Sequence, residues 1–280
     1  MNDLLILLGG ALAGVVVEMT LTWRVADRLR NYGIVDAVWS AGFAGLALWY
    51  LAGSRHLHAD ATLPLRSGVM TGMVLLWSLR LAYHLARRIA RHHPREDVRY
   101  AELRREWGPA TPRKMYGFFL LQGALQVVLS LPFLWVCLNP NPTTGPGGLT
   151  AFEWTGLALW ILAWTGEAIA DRQLARFVRN PANRGQVCQS GLWYWSRHPN
   201  YFFEWLIWVG FAVFALGSPL GWTGLLSPLL MWHFLVNVTG IPMTEALSLR
   251  SKGDAYRQYQ ATTSAFVPWF KKSAAPSSLS

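Results

Sequence analysis

The 280-residue chain has few charged residues, which make up 14% of it, and only two cysteines, Cys137 and Cys188. Soluble domains carry about 25% charged residues, so this share argues against a disordered chain and a soluble nucleic-acid binder. Two cysteines are too few for a disulfide scaffold. The sequence also lacks the glycine fingerprint of a soluble dinucleotide-binding fold and any cluster with metal-ligand spacing. A nucleotide site would therefore have to be built between helices, and we expect no bound metal.

Apolar residues are abundant, at 52% of the chain, and they include 16 tryptophans. A bilayer core about 30 Å thick is crossed by about 20 apolar helical residues. We therefore predict an all-α, polytopic membrane bundle with seven transmembrane helices in one domain, 1–270, followed by a disordered tail, 271–280. The predicted spans are 4–23, 34–53, 67–86, 115–138, 149–170, 202–217 and 220–241.

The formal net charge of +10 lies mainly between these spans. Of the 25 Lys and Arg residues, 22 fall in alternate connections and in the C-terminal segment, on one side of the predicted membrane. The positive-inside rule then predicts that the N-terminus lies outside and the C-terminus in the cytoplasm. This distribution explains the basic charge without a nucleic-acid partner.

Several polar residues lie at bilayer depth, where they are costly and often mark function. Asp36 lies one turn into the second span, and Arg80 and Tyr83 lie on the third. Asp36 and Arg80 could form a structural pair or line a polar pocket open to the cytoplasmic side. For Glu18 and Glu153 we expect solvated carboxylates near span ends.

The segment 167–204 has the highest density of polar residues with functional potential. Glu167, Asp171 and Arg179 recur at roughly helical spacing, so they share one helix face. Arg172, Arg176 and Arg179 form a basic ladder, which suits phosphate groups because arginine offers several fixed donors. The alternative is that these arginines bind anionic lipid headgroups.

A second cluster follows Pro199, which should interrupt the backbone before the sixth span. Asn200 and Glu204 lie four residues apart and face the same way, so an amide and a carboxylate could together hold a carboxamide or a hydroxyl-rich group. Further along, Tyr256 and Tyr259 lie three apart on one face of a predicted cytoplasmic cap.

These motifs resemble the DUF1295 branch of the steroid 5-alpha-reductase family, over about residues 25–270. The matching elements are Asn31–Asp36, Trp77–Leu81, Glu96–Tyr100, Ser196–Tyr201 with Glu204, and Thr239–Pro242 with Glu245. The element 196–204 is the most specific of them.

The resemblance implies a seven-helix membrane reductase that holds NADPH in its C-terminal half, 149–270, and a lipid-like substrate among the helices of 1–138. Asn200 and Glu204 match the family's contacts to the nicotinamide, and Asp171 and Arg179 match its nucleotide contacts. The full set of expected cofactor-binding residues is Glu167, Asp171, Arg172, Arg176, Arg179, Arg197, His198, Asn200, Tyr201, Glu204, Glu245, Tyr256 and Tyr259.

One family element is missing. Steroid reductases polarise the substrate carbonyl with a Glu on the second span and a Tyr on the third, and this chain has no matching motif. The nearest polar groups are Asp36, Arg80 and Tyr83, which become the candidate catalytic residues. The resemblance implies hydride transfer to a C=C bond of a steroid- or lipid-like enone, in contact with membrane lipids, in a bacterial inner membrane.

Two alternatives remain. The element 197–201 and the tail from Glu245 also resemble isoprenylcysteine carboxyl and phospholipid methyltransferases, which bind S-adenosylmethionine. Those enzymes usually have Gly where this chain has Glu204 and often a Glu-Glu pair where Glu245 stands alone, so the reductase is favoured. A non-catalytic lipid-binding protein is the third hypothesis, and it predicts no dinucleotide binding.

Overall fold

A computed structural model describes residues 2–57, 65–139 and 148–273. Every regular element in these ranges is a helix, so the predicted all-α class is confirmed. Residues 274–280 of the predicted tail lie outside the described part. The main helices are α1 (Asn2–Arg28), α2 (Ile34–Leu57), α3 (Leu65–His92), α4 (Val98–Trp107), α5 (Thr111–Leu129), α6 (Leu131–Leu138), α7 (Ala151–Arg179), α8 (Leu192–Trp195), α9 (Pro199–Ala215), α10 (Leu226–His233), α11 (Ile241–Lys252) and α12 (Asp254–Thr262).

The chain forms two compact units. Unit 1 comprises Met1–Trp154 and Phe214–Leu226, and unit 2 comprises Thr155–Val213 and Ser227–Ser280. The sequence-based division into a substrate-side half and a cofactor-binding half stays a prediction.

Among the described residues, four helices are long and apolar enough to cross a membrane: Asn2–Arg28, Ile34–His56, Leu65–His92 and Gly221–Lys252. A fifth span is formed if the bent pair Val98–Leu129 and Leu131–Leu138 is counted as one. The outer face of α1 exposes large aliphatic side chains, as expected for a helix in contact with lipid. An integral membrane protein is thus supported.

The count of seven spans stays a prediction. The helix α9, at 17 residues, is shorter than the about 20 residues that a bilayer core requires. The helix α7 is long, but it carries Glu153, Glu167 and Asp171 along its length. These two helices correspond to the predicted spans 149–170 and 202–217.

The helices of unit 1 approach one another closely at glycines. A methyl group at Gly123 on α5 would lie 2.5 Å from Val15 and 2.9 Å from Met19, both on α1. Gly10 on α1 packs against the Trp49 ring of α2. Small residues at helix contacts let backbones come together, which is how membrane helices gain packing energy.

A buried ion pair joins distant parts of unit 1 and corrects the expectation for Glu153. Arg66 Nε donates to Glu153 Oε1 over 2.6 Å, and the two side chains are 1% and 0% exposed. Arg66 also donates to Ser218 Oγ over 2.7 Å and to the backbone carbonyl of Asn139. The backbone N–H of Thr150 donates to the second carboxylate oxygen, Oε2, over 2.7 Å. The expected solvated carboxylate is therefore a fully bonded group in the protein interior.

In unit 2, α7 and α9 pack together through small residues. Gly166 lies against the Phe203 ring, and Gly210 lies against Trp160. The indole of Trp193 donates to the carbonyl of Ala170 over 3.0 Å, which fixes the segment before α9 on α7. The helix α9 begins at Pro199, as predicted from the sequence; proline suits a first helical turn because it has no N–H to leave unpaired.

Candidate functional site

The polar residues of α7 and α9 meet in unit 2. Asn200 Nδ2 donates to Asp171 Oδ1 over 3.4 Å. Glu167, one turn before Asp171, is buried, and Glu204, one turn after Asn200, accepts a bond from Trp208 Nε1 at 3.0 Å. The expected amide and carboxylate therefore extend from one helix, with an acidic residue of the other helix beside the amide.

The three arginines of the ladder occupy the last two turns of α7. Arg172, Arg176 and Arg179 are exposed, and Arg179 Nε donates to the carbonyl of Ala175 over 3.2 Å. Their guanidinium groups are accessible to an anionic group, whether a phosphate or a lipid headgroup.

Arg197 connects three segments of unit 2. Its Nε donates to Glu245 Oε1 over 2.6 Å, and its Nη1 donates to the carbonyls of Gln260 and Thr263 over 3.0 and 2.5 Å. The Gln260 amide donates to the other oxygen of Glu245 over 2.7 Å. One guanidinium thus holds α11 and α12 to the start of α9, so Arg197 positions the cap whatever else it binds.

His198 and Tyr201 extend this cluster. The two rings stack with centroids 5.3 Å apart and planes 7° from parallel. His198 Nε2 lies 3.3 Å from Glu245 Oε1, and the Tyr201 hydroxyl lies 3.0 Å from that of Thr244. Both expected site residues are therefore joined to α11.

Tyr256 and Tyr259 are buried on one face of α12, with ring centroids 5.9 Å apart. The Tyr259 hydroxyl donates to the carbonyls of Trp193 and Ser196. Burial raises the pKa of Tyr256 to about 12 and raises that of Tyr259 further. Both phenols are neutral donors at physiological pH, and Tyr259 uses its proton to fix the loop before α9.

A pocket of about 340 Å³ lies beside this cluster in unit 2. Its polar lining includes Arg197, Gln260 and Thr263, and Trp269 and Phe270 supply aromatic surface. Three polar residues of this region, Gln260, Thr263 and Thr244, were not among the residues predicted from the sequence. No signal in the sequence separated them from ordinary polar residues of a cap, because their roles depend on contacts with distant residues.

The candidate catalytic residues all lie in unit 1. Asp36 accepts bonds from Arg99 Nη2 at 2.5 Å and from the Tyr100 hydroxyl at 2.6 Å. Tyr83 is 64% exposed and accepts a bond from Arg87 over 3.2 Å. Arg80 is half-buried on α3. The described contacts of Asp36 make it an acceptor that docks α4 on the start of α2.

Asp97 reinforces this docking, since its carboxylate caps α4 and accepts from Arg99 Nε over 2.9 Å. Burial acts to raise the pKa of Asp97, but the hydrogen bonds and charge of Arg99 outweigh burial and leave that pKa below its usual value. The motif Glu96–Tyr100, noted in the sequence, therefore supplies the partners of Asp36.

Replacement of Asp36 with asparagine is expected to loosen α4. Arg99 and Tyr100 would lose a charged acceptor, which is worth about 1.5–3 kcal/mol for a hydrogen bond to a charged group. Hydrogen exchange of the amides in 98–107 should accelerate about tenfold or more. Glu106→Gln, on the exposed face of the same helix, is the matched control. Equal protection in wild type and Asp36→Asn would contradict the docking role.

Comparison with known proteins gives the chain a family. The family described as "Protein of unknown function (DUF1295)" matches residues 22–263. An uncharacterized protein of Schizosaccharomyces pombe is 29% identical over 291 residues, which cover 94% of this chain and 77% of the relative. No solved structure matches the chain. The match spans most of both units, so the chain belongs to the DUF1295 family.

Proposed function

We propose that this protein is a membrane-embedded, NADPH-dependent reductase of the steroid 5-alpha-reductase type, which transfers hydride to a C=C bond of a steroid- or lipid-like enone. The observation that carries the proposal is the contact of Asn200 with Asp171, with Glu204 one turn further on the same helix. These are the residues for which the family resemblance implies contacts to the nicotinamide and the nucleotide.

The chemistry of this donor set fits NADPH. A carboxamide needs acceptors for its N–H groups and a donor for its oxygen, and Asp171, Glu204 and Asn200 offer both kinds. The exposed guanidinium groups at the end of α7 suit the phosphates, because arginine binds them through paired N–H donors. Glu167 adds a buried polar group one turn before Asp171.

The bound cofactor would supply the hydride, and the protein would supply orientation. Asn200 and Glu204 would hold the carboxamide and so fix the face of the nicotinamide ring that is presented to the substrate. The role of polarising the substrate carbonyl cannot be given to Asp36 in its described state, because Arg99 and Tyr100 both donate to it. Arg80 and Tyr83 stay the candidates for that role.

The same proposal includes the membrane topology. Seven spans with the N-terminus outside place the Arg-rich connections, the end of α7 and the α11–α12 cap in the cytoplasm, where NADPH is available. The bacterial inner membrane is the compartment that we propose for it.

The decisive experiment measures NADPH binding to the purified protein in detergent, with quenching of tryptophan fluorescence as the readout. Asn200→Ala and Glu204→Ala should each weaken the affinity about 10-fold or more, since each removes hydrogen bonds that a buried carboxamide needs. Gln258→Ala and Asp254→Ala remove an amide and a carboxylate from the exposed surface of α12 and should leave the affinity unchanged. An affinity unaltered by both site variants would rule out a nicotinamide site at Asn200 and Glu204.

The second candidate is an S-adenosylmethionine-dependent membrane methyltransferase of the isoprenylcysteine or phospholipid type. It is favoured by one observation: Arg197, His198 and Glu245, which carry that resemblance, form a bonded cluster. The same titration with S-adenosylmethionine separates the two functions. Tight binding of S-adenosylmethionine with no response to NADPH would reverse the preference.

A further inference from the structure

Glu18 is a carboxyl group in the middle of a lipid-facing helix. It lies near the centre of the candidate span Asn2–Arg28 and is half-buried. Within 2–57, 65–139 and 148–273, its carboxyl has neither a hydrogen bond nor an ion pair. Ionisable groups at this depth are costly and are functional candidates by default. Neither the candidate catalytic residues nor the cofactor set includes Glu18.

Gly42 on α2 is the point at which Glu18 meets a third helix. A methyl group on Gly42 would lie 2.7 and 2.9 Å from the two carboxyl oxygens of Glu18, and it would overlap the amide nitrogen of Gln126 on α5. The absence of a side chain at Gly42 therefore lets an acid from α1 and an amide from α5 reach the same spot on α2.

Gln126 is 0% exposed, and only part of its hydrogen-bonding capacity is used. Its Nε2 donates to the carbonyl of Trp39 over 2.7 Å, which fixes the amide against α2. Its Oε1 is buried and has no hydrogen-bond partner in the part of the chain that the structure describes. A buried polar atom left unpaired costs about 1–3 kcal/mol, so such atoms call for an explanation.

The Glu18 carboxyl and Gln126 Oε1 could both bond to a single chemical group. As a neutral acid, which the lack of a paired cation favours at this depth, Glu18 has a proton to donate. Gln126 Oε1 needs a donor. We propose that unit 1 binds a lipid-like alcohol here, whose hydroxyl accepts from Glu18 and donates to Gln126. A ketone would satisfy Glu18 alone. A carboxylate could also accept from Glu18, but it has no hydrogen for Gln126 Oε1 and it brings a charge that no cation offsets.

The rest of the ligand must be apolar, because the surroundings are. Val17 and Leu21, which flank Glu18 on α1, are large, aliphatic and exposed, so a lipid can approach from that side. Binding requires the Gln126 side chain to turn, since its oxygen is enclosed. The inference does not depend on the proposed reductase activity, and its test uses no cofactor.

The first test uses the wild-type protein alone. A 16-carbon alcohol with a photoreactive diazirine and an alkyne in its chain is cross-linked to the purified protein in detergent, and the label is quantified. We expect 1-hexadecanol to compete about tenfold better than hexadecyl methyl ether, which keeps the chain but has lost the donor. Labelled peptides should come from α1, α2 or α5. Equal competition by the ether would overturn the proposal.

Variants then assign the site. Glu18→Leu and Gln126→Leu should each reduce specific labelling about tenfold, whereas Glu18→Gln should keep most of it, because an amide still donates. Asp3→Leu, a carboxyl lost from the start of the same helix, is the matched control. Elution on gel filtration identifies variants that fail to fold. Unchanged labelling in folded Glu18→Leu and Gln126→Leu would show that these groups do not hold the alcohol, and would likewise overturn the proposal.

Discussion

Replacement of Arg66 with methionine is expected to lower the unfolding free energy of unit 1 by about 3–5 kcal/mol. Methionine fills much of the arginine volume, but it leaves the Glu153 carboxylate, which is 0% exposed, without its cation. It also removes the donors to Ser218 and to the Asn139 carbonyl. Thermal unfolding in detergent measures the effect, and the melting temperature should fall by about 10 °C.

A double variant tests whether the unpaired Glu153 carboxylate causes the loss of stability. In Arg66→Met with Glu153→Leu both charges are gone, so most of the lost stability should return, because a pair replaced by apolar side chains leaves no buried charge. Arg55→Met, at the exposed end of α2, is the matched control and should melt like wild type. If Arg66→Met alone melts at the wild-type temperature, the pair does not hold these segments together.

Replacement of Arg197 with methionine is expected to release the cap formed by α11 and α12. The variant loses the ion pair with Glu245 and the donors to the carbonyls of Gln260 and Thr263. Removal of one partner from a largely buried ion pair costs about 3–5 kcal/mol of unfolding free energy, and here the destabilised part is unit 2. Limited proteolysis should therefore cut 254–273 at least tenfold faster than in wild type.

Two further variants serve as comparisons for Arg197→Met. Arg197→Lys keeps the charge but carries its donors on one nitrogen, whereas Arg197 uses Nε and Nη1, so it should restore protection from cleavage only in part. Arg257→Met removes an arginine that is 71% exposed and paired with the exposed Asp254, and it should have no effect. Cleavage of Arg197→Met at the wild-type rate would show that the cap is held by its apolar contacts alone.

Much of the fold was predictable because membrane helices are local features. The span predicted at 34–53 corresponds to α2, and the one at 67–86 to α3, since a bilayer selects long apolar segments whatever their partners. The long predicted span 115–138 instead divides into α5 and α6, which bend by 41° at Ser130–Pro132. Proline removes a helical hydrogen bond and clashes with the preceding turn, so Pro132 accounts for the break.

Sequence patterns predicted which residues belong to the candidate site better than they predicted the hydrogen bonds between those residues. Helical spacing placed Asn200 and Glu204 on one face of α9, and the structure adds Asp171 from α7 as the partner of the amide. Tyr83 was chosen by its position on the third span, but its side chain is exposed. The direction of a side chain on a helix depends on the rotation of that helix against its neighbours, and local spacing does not report this rotation.

The sequence by itself determined that the chain is helical and membrane-inserted, because apolar length acts on each segment separately. The placement of the basic residues on one side of the membrane stays a prediction. Tertiary structure alone decided which polar groups are neutralised. Arg66 and Glu153 are 87 positions apart, and Asp36 and Arg99 are 63 apart. Such pairs form only when packed helices exclude water and bring opposite charges together, so no local sequence pattern predicts them.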